Sequence, residues 1–200
     1  MNKMFTVGHS NHALDHFMGL LAMHGVSAIA DVRSSPHSEY TPQFNREVIE
    51  RVLRDAGVEY VFLGKELGAR RGEERCYVDG QAKYALIKDL PQFRAGLDRL
   101  FEGVDQYVVA LMCAEADPIT CHRTILICHE VKALRPDIAI AHILGDGRIE
   151  SHKDAEERLI QLHKLQPELF GDLTTRDGLL EEAYHLQAEK IAYKKTIEEP

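Results

Sequence analysis

Five short apolar segments, each followed by a stretch with helical spacing, constrain the fold of this chain more than any other feature of its sequence. The segments lie at residues 4–8, 26–32, 58–63, 107–112 and 138–144. They are continuous apolar runs rather than alternations of apolar and polar residues, which is typical of parallel strands buried on both faces. We therefore predict an α/β fold, with a doubly wound, mostly parallel five-stranded sheet and helices on both faces.

Two regions depart from this regular alternation. Residues 146–200 show helical spacing at 155–165 and 179–191 with few β-forming residues between them. We expect a helical C-terminal extension there, packed on the α/β core of residues 1–145. Residues 64–80 contain four glycines and no sustained period, which predicts a long loop that serves as a lid.

Composition limits the partners and the compartment. The 24 basic and 32 acidic residues give a net charge of −8, so nucleic acid would have to meet a local basic patch and is not a favoured partner. No run approaches the ~18 apolar residues of a membrane span, and the first residues do not resemble a signal peptide. Four cysteines in such a chain are typical of reduced thiols, so we expect a cytoplasmic protein without a membrane partner.

Ionisable and nucleophilic residues stand where several predicted strands end. They are His9 and Ser10 after the first strand, Asp31 and Arg33 at the second, and Cys113 and Glu115 at the fourth. In open parallel sheets, ligands bind beyond the carboxyl ends of the strands. We therefore expect these residues to converge on one edge of the sheet, although they are far apart in the sequence.

The segment from Cys113 to Arg123 is the most specific local feature. It joins a strand end to a helix start, and Thr120 is the predicted N-cap, which places Cys121, His122 and Arg123 in the first helical turn. Free N–H groups and the helix dipole favour anions there and lower the pKa of a thiol. Two guanidinium groups, from Arg33 and Arg123, could hold the same phosphate or carboxylate.

Each of these residues also has a structural interpretation. His9 and Ser10 could cap the first helix, and Asp31 could form an internal ion pair with Arg33. Cys113 could be a small buried apolar residue.

Zinc is an alternative for the same segment. Cys113, Cys121 and His122 are zinc-ligand types, and His9 or Glu115 could complete the set, but their spacing is irregular. The sequence contains no paired C-x-x-C, no H-E-x-x-H, no phosphate-binding loop and no nucleophile elbow. The leading prediction therefore includes neither a metal ion nor a cofactor.

Several of these motifs resemble those of the DUF488 family of uncharacterised bacterial and archaeal proteins. The resemblance rests on Thr6-Val-Gly-His-Ser10, Asp31-Val-Arg33, Leu63-Gly64, Leu67-Gly68, Cys113-Ala-Glu115 and Cys121-His-Arg123, and it continues through His142-Ile143 and Asp146-Gly147 to Ala192-Tyr193. It implies an α/β domain with a polar cluster made of the motif residues, and no particular reaction.

The leading hypothesis is an enzyme that acts on a small anionic substrate, such as a nucleotide or a nucleic-acid component, at this edge of the sheet. Glu115 is the predicted general acid/base, Cys121 the nucleophile and His9 a third catalytic residue. The predicted substrate contacts are Ser10, Asp31, Arg33, His122 and Arg123, with Asp31 orienting Arg33 or His9. Two alternatives stay open: a non-catalytic module that binds a nucleotide or a DNA end, and a thiol or metal sensor.

Overall fold

A six-stranded sheet forms the centre of the molecule. The computed structural model describes residues 2–168 and 174–195. The strands in these ranges are β1 (Lys3–Gly8), β2 (Ala28–Asp31), β3 (Glu59–Phe62), β4 (Tyr77–Val78), β5 (Gln81–Ala82), β6 (Val109–Cys113), β7 (Ala139–Ile143) and β8 (Ile149–Ser151). The main sheet has the order β3-β2-β6-β1-β7-β8, and β4 and β5 form a separate antiparallel pair. The five strands predicted from the sequence pair in parallel, which confirms the α/β fold.

The sixth strand of the main sheet is a correction to the predicted five. β8 pairs antiparallel with β7, and a tight turn in which Gly147 has a φ of 85° joins the two strands. The turn is closed by a hydrogen bond from the Leu144 amide to the Arg148 carbonyl oxygen at 2.9 Å. The three residues of β8 are too few to show the two-residue period of a strand, and the surrounding region has helical spacing. The sequence therefore did not predict this hairpin.

Helices cover both faces of the sheet. They are α1 (Leu14–Met23), α2 (Arg46–Asp55), α3 (Gly64–Leu67), α4 (Tyr84–Lys88), α5 (Pro91–Val104), α6 (His129–Leu134), α7 (His152–Leu162) and α8 (Arg176–Ile191). Successive strand residues point to opposite faces. Accordingly Ile29 packs in the core that contains buried residues of α1 and α2, whereas Ala28 and Ala30 pack in the core that contains those of α5, α6, α7 and α8.

The C-terminal region is helical where the structure describes it. α7 and α8 contribute Leu159 and Leu179 to the second of these cores. Residues 169–173 and 196–200 of the predicted extension lie outside the described residues. Within the described ranges, no helix is both long enough and apolar enough to cross a membrane.

Residues 64–80 do not form the long irregular loop that their glycines predicted. The segment contains α3, a 3₁₀ turn at Glu74–Cys76 and β4. The buried Arg71 guanidinium donates to the carbonyl oxygens of Lys65 and Glu66 at 2.7 and 2.9 Å, which ties the segment to itself. Gly64 serves close packing rather than flexibility, since a Cβ there would overlap the Arg33 carbonyl oxygen.

The strand order explains why distant residues meet at one edge. β6 lies between β1 and β2. Gly8 is paired with Cys113, and Asp31 with Met112, so the carboxyl ends of all three strands lie side by side. The side chains that follow these strands are therefore neighbours, as the parallel-sheet prediction requires.

Candidate functional site

The loop after β6 is anchored on both sides. The Asp117 side chain accepts a hydrogen bond from the Ile119 amide at 3.2 Å and so begins the 3₁₀ turn Pro118–Thr120. Arg158, from α7, donates to both carboxylate oxygens of Asp117 at 2.8 Å. Because the loop is anchored in this way, the Sγ atom of Cys121 lies within 4.8 Å of the Sγ atom of Cys113.

The helix after this loop starts one residue later than predicted. Thr120 is not its N-cap, because the Thr120 hydroxyl donates to the Asp117 carbonyl oxygen at 3.0 Å. Cys121 has an extended backbone, and its carbonyl oxygen accepts from the amides of Thr124 and Ile125 at 3.1 Å each. Cys121 therefore precedes the first turn, and a π-helical segment at Arg123–Cys128 follows. Such segments are frequent at functional sites.

Four side chains meet at the end of β6, and we call them the thiol cluster: Cys113, Glu115, Cys121 and His122. The Sγ atoms of Cys113 and Cys121 lie 2.9 and 3.0 Å from Oε2 of Glu115. The same two Sγ atoms lie 3.7 and 3.8 Å from Nδ1 of His122. Both thiols and the imidazole are buried, whereas Glu115 reaches the cluster from an exposed position.

Charges inside the thiol cluster shift the ionisation of its members. Burial alone would raise the pKa of Cys121, but its hydrogen bond with Cys113 and the positive charges of Arg123 and His122 lower that pKa well below its usual value. The hydrogen bond to Cys121, with burial, raises the pKa of Cys113 well above its usual value. Cys121 is thus the thiol that ionises first.

The other two members respond to that negative charge. Burial lowers the pKa of His122, but the charge of Cys121 outweighs burial, so the pKa of His122 is raised. Burial of its carboxyl group, and then the charge of Cys121, raise the pKa of Glu115. A thiol with a lowered pKa, beside an imidazole with a raised pKa and a carboxyl group, is an arrangement that can perform nucleophilic or acid/base chemistry.

Asp31 and Arg33 form a buried ion pair, the structural interpretation that the sequence left open. Nε and Nη2 of Arg33 donate to the two carboxylate oxygens of Asp31 at 2.9 and 2.6 Å. The Tyr60 hydroxyl donates to the same carboxylate at 2.7 Å. Asp31 therefore orients Arg33, as expected, and is itself fully enclosed.

His9 supports this pair rather than a cavity. Its Nε2 lies 3.2 Å from Nη1 of Arg33, and its ring stacks on Phe44 with 4.3 Å between ring centroids. Burial and the charge of Arg33 lower the pKa of His9 to about 4, so the ring is neutral at neutral pH. Because a guanidinium can only donate, Nε2 accepts from Arg33 and Nδ1 donates to the Ser10 carbonyl oxygen at 2.8 Å.

A cavity of about 370 Å³ opens beside the thiol cluster. It is lined by Arg33, Ser34, Ser35, His37, Ala69, Arg70, Tyr84, Cys113, Ala114, Glu115, Thr120, His122, Ile191 and Tyr193. Three of the eight predicted site residues are on its wall: Arg33, Glu115 and His122. The lining given by the described residues does not include the other five: His9, Ser10, Asp31, Cys121 and Arg123.

Arg123 and Ser10 hold the loop rather than face the cavity. Arg123 is fully buried, and its Nη1 and Nη2 donate to the carbonyl oxygens of Glu115 and Ala116 at 2.6 and 3.1 Å. The Ser10 amide donates to the Ala114 carbonyl oxygen at 2.9 Å. Both have a positioning role in this geometry, and the substrate contacts predicted for them stay a prediction.

Several cavity residues were not among the predicted site residues. Ser34 and Ser35 directly follow Arg33, so the strand-end rule that selected Arg33 also applies to them. The guanidinium carbon of Arg70 lies 4.8 Å from the centre of the Tyr193 ring. Arg70 lies in the segment that was predicted to be a lid, whereas Tyr84 comes from a distant segment that carries no local signal of a site.

Comparison with known proteins gives one match. A family model described as "Domain of unknown function DUF488" matches residues 13–129, which is more than half of the chain. The matched range contains the whole thiol cluster and the Asp31–Arg33 pair, whereas His9 and the motif residues beyond 129 lie outside it. No curated protein matches the chain, and no solved structure does either.

Proposed function

The chain belongs to the DUF488 family, and we propose that it is an enzyme that acts on a small anionic substrate of the phosphate-bearing, nucleotide type in the cavity beside the thiol cluster. The family description assigns no reaction, so the proposal depends on the site. One observation carries it: cationic side chains and reactive side chains line the same cavity. A volume of about 370 Å³ lies within the ~300–1,000 Å³ of small-ligand sites.

The cationic wall supplies binding and orientation. Arg70 is exposed, so its guanidinium can pair with a phosphate without leaving a buried partner. Arg33 is fixed by Asp31, and its Nη1, which Asp31 does not engage, donates one N–H to Nε2 of His9 and has a second N–H for an anion. The hydroxyls of Ser34 and Ser35 line the cavity beside Arg33 and add hydrogen-bonding groups for an anion.

The reactive wall supplies proton transfer. Glu115 is the member of the thiol cluster that extends from the buried thiols to an exposed position in the cavity. A carboxyl group in that position can take a proton from a reacting group of the substrate or return one. A module that only binds anions has no need of two thiols and a carboxyl group beside its ligand, which favours the enzyme over the non-catalytic alternative.

Ligand binding is tested first by thermal unfolding of the full chain against nucleotides and sugar phosphates. A ligand present at 100 times its Kd stabilises the native state by about 2.7 kcal/mol. We expect Arg70→Ala to abolish this shift and the control Arg148→Ala to keep it, because Arg148 is exposed and pairs with Asp146 at the β7–β8 turn. Failure of all these anions to shift the unfolding temperature would refute the proposal.

Turnover is tested with the anion that binds. Glu115→Gln should retain binding and lose a factor of about 10²–10⁴ in kcat, the range for removal of a general acid/base. If the wild-type protein binds the anion tightly and returns it unchanged, the non-catalytic binding module is correct instead.

A further inference from the structure

Three ligand atoms of the thiol cluster lie close together, and the two distances from sulfur to nitrogen match those of a tetrahedral metal site. Sγ of Cys113, Sγ of Cys121 and Nδ1 of His122 all lie within 4.8 Å of one another. Zinc bonds of about 2.3 Å to sulfur and about 2.0–2.1 Å to nitrogen, at tetrahedral angles, place sulfur and nitrogen about 3.6 Å apart. The two Sγ to Nδ1 distances are 3.7 and 3.8 Å. A metal ion would therefore fit with little movement of the three side chains.

We propose that Cys113, Cys121 and His122 bind one zinc ion, whose fourth coordination position faces the cavity beside Glu115. Two thiolates and one imidazole are a ligand set that zinc prefers, whereas magnesium and calcium take oxygen ligands. Three protein ligands and an open position are typical of catalytic zinc. The ion would place a Lewis acid at the wall of the cavity.

The orientation of His122 supports this assignment. Its Nε2 lies 3.0 Å from the carbonyl oxygen of Val32. A carbonyl oxygen can only accept, so the proton is on Nε2, and in the neutral ring Nδ1 presents a lone pair to the two sulfurs. Histidines that bind metals almost always donate their other N–H group in this way, to a carbonyl or a carboxylate.

The charges around the cluster also suit a divalent ion. Loading releases two protons from the cluster to solvent and leaves two thiolates and a neutral imidazole, so that the two thiolates balance the charge of the ion. The positive charge of the buried Arg123 can balance the negative charge of the Glu115 carboxylate. The Arg123 guanidinium donates a hydrogen bond to the backbone carbonyl oxygen of Glu115. The Arg123 amide also points to Sγ of Cys121 at 3.5 Å, a contact that stabilises a thiolate.

In the arrangement seen here, the two thiols both approach a single oxygen of Glu115. Those two distances, 2.9 and 3.0 Å, are hydrogen-bond distances and are shorter than a tetrahedral sulfur to oxygen edge of about 3.5 Å. Glu115 is thus placed as a neighbour of the fourth position and not as a ligand. Because Glu115 approaches from the solvent side, its side chain can move away from the thiols without disturbing the buried ligands.

Metal content tests the proposal without any substrate, so its outcome is separate from that of the anion-binding proposal. The full chain is expressed with zinc in the medium, purified with reductant and without chelators, and analysed by elemental mass spectrometry. We expect one zinc per chain in the wild-type protein and background zinc in Cys113→Ser and Cys121→Ser. Cys128→Ala is the matched control, since Cys128 is equally buried but outside the cluster, and it should keep its zinc.

Cobalt substitution of the wild-type chain gives a reading that does not depend on whether a variant folds. Bound Co²⁺ should show the intense visible bands of tetrahedral geometry and a thiolate-to-cobalt charge-transfer band. Absence of both bands, together with absence of zinc from reduced protein, would overturn the site. Formation of a Cys113–Cys121 disulfide in protein that never binds metal would replace the proposal with a thiol redox pair.

Glu115→Gln tests the open position. Retained zinc, with an unchanged cobalt spectrum, supports a fourth position that Glu115 does not occupy. Loss of zinc in this variant would show that Glu115 is a ligand and would overturn the open site.

Discussion

The buried Asp31–Arg33 pair allows a sharp prediction of stability. The two side chains are 0% and 7% exposed, and they share two short hydrogen bonds. Arg33→Met would leave the Asp31 carboxylate enclosed, with only the Tyr60 hydroxyl and the Arg33 amide as donors. Removal of one partner from a buried pair costs about 3–5 kcal/mol, because the remaining charge is neither hydrated nor paired.

An exposed pair in the same chain is the control. Arg54 donates to Glu50 at 2.9 Å, so the geometry is similar, but the two side chains are 71% and 34% exposed. Pairs of this kind on a helix surface contribute about 0.3–0.5 kcal/mol. We therefore expect Arg54→Met to change the free energy of unfolding by less than a fifth of the change caused by Arg33→Met.

Urea unfolding followed by circular dichroism measures both variants, and Asp31→Asn with Arg33→Met completes a double-mutant cycle. The double variant has no charge left at this pair, so its loss should be smaller than the sum of the single losses by about 2–3 kcal/mol. Additive losses, or an Arg33→Met loss below about 1 kcal/mol, would refute the argument that burial makes this pair costly to break. The result also decides how binding data are interpreted, because a variant of Arg33 loses stability whether or not Arg33 contacts a ligand.

Two further predictions concern the packing and the pH dependence of the molecule. Gly8→Ala should destabilise the protein and displace the loop after β6, because a Cβ at Gly8 would overlap the Glu115 carbonyl oxygen; Gly19→Ala, in open space within α1, should instead stabilise it by about 0.5–1 kcal/mol. Thermal unfolding of the two variants checks this, and equal effects would contradict it. Burial, followed by neighbouring positive charges, lowers the pKa of His152 to about 4 and that of His142 to about 2, whereas a histidine in the unfolded chain titrates near 6.5. The unfolded state therefore binds protons first as the pH falls, and the free energy of unfolding should drop by about 3 kcal/mol for His152 alone between pH 6.5 and 4. Urea unfolding across this range should show a shallower slope in His152→Gln, and an unchanged slope would exclude His152 as its source.

The parallel sheet was predictable because its signal is local. A continuous apolar run predicts a buried strand, and alternation with helices predicts parallel pairing. From that step the meeting of Arg33, Cys113 and Glu115 follows without further information, since all three come at the ends of parallel strands. β8 was missed because three residues carry no period, and residues 64–80 were misjudged because their glycines allow close packing against Arg33 and Ser34.

The partners of each charged side chain were not predictable in the same way. The sequence predicted that Arg33 and Arg123 lie at one edge of the sheet. It did not predict which acceptors their guanidinium groups contact, because tertiary contacts of this kind leave no pattern in the spacing of residues. Arg123 donates to the carbonyl oxygens of Glu115 and Ala116, whereas Arg70, from the segment predicted to be a lid loop, has the guanidinium that is exposed in the cavity wall. A burial pattern read from one chain does not distinguish an arginine that holds a loop from one that holds a ligand.

Because β6 lies between β2 and β1, the two sides of the cavity are built from different strand ends and have different chemical character. On the β2 side, the ion pair between Asp31 and Arg33 forms one rigid wall of the cavity. The neutral His9 ring accepts a hydrogen bond from Arg33 and so supports this wall. On the other side of the cavity, the loop that follows β6 brings Cys121 and His122 back to the end of β6. Cys113 is held at that end by its pairing with Gly8 of β1. The rigid wall can orient an anion, but its groups are not reactive, because the charges of Asp31 and Arg33 neutralise each other. The thiol cluster has the opposite character, since its two thiols and its imidazole are buried beside one another and Glu115 is its exposed member. A substrate held by the first wall would therefore present its reacting atom to the second, and this juxtaposition is set by three adjacent parallel strands rather than by any single motif.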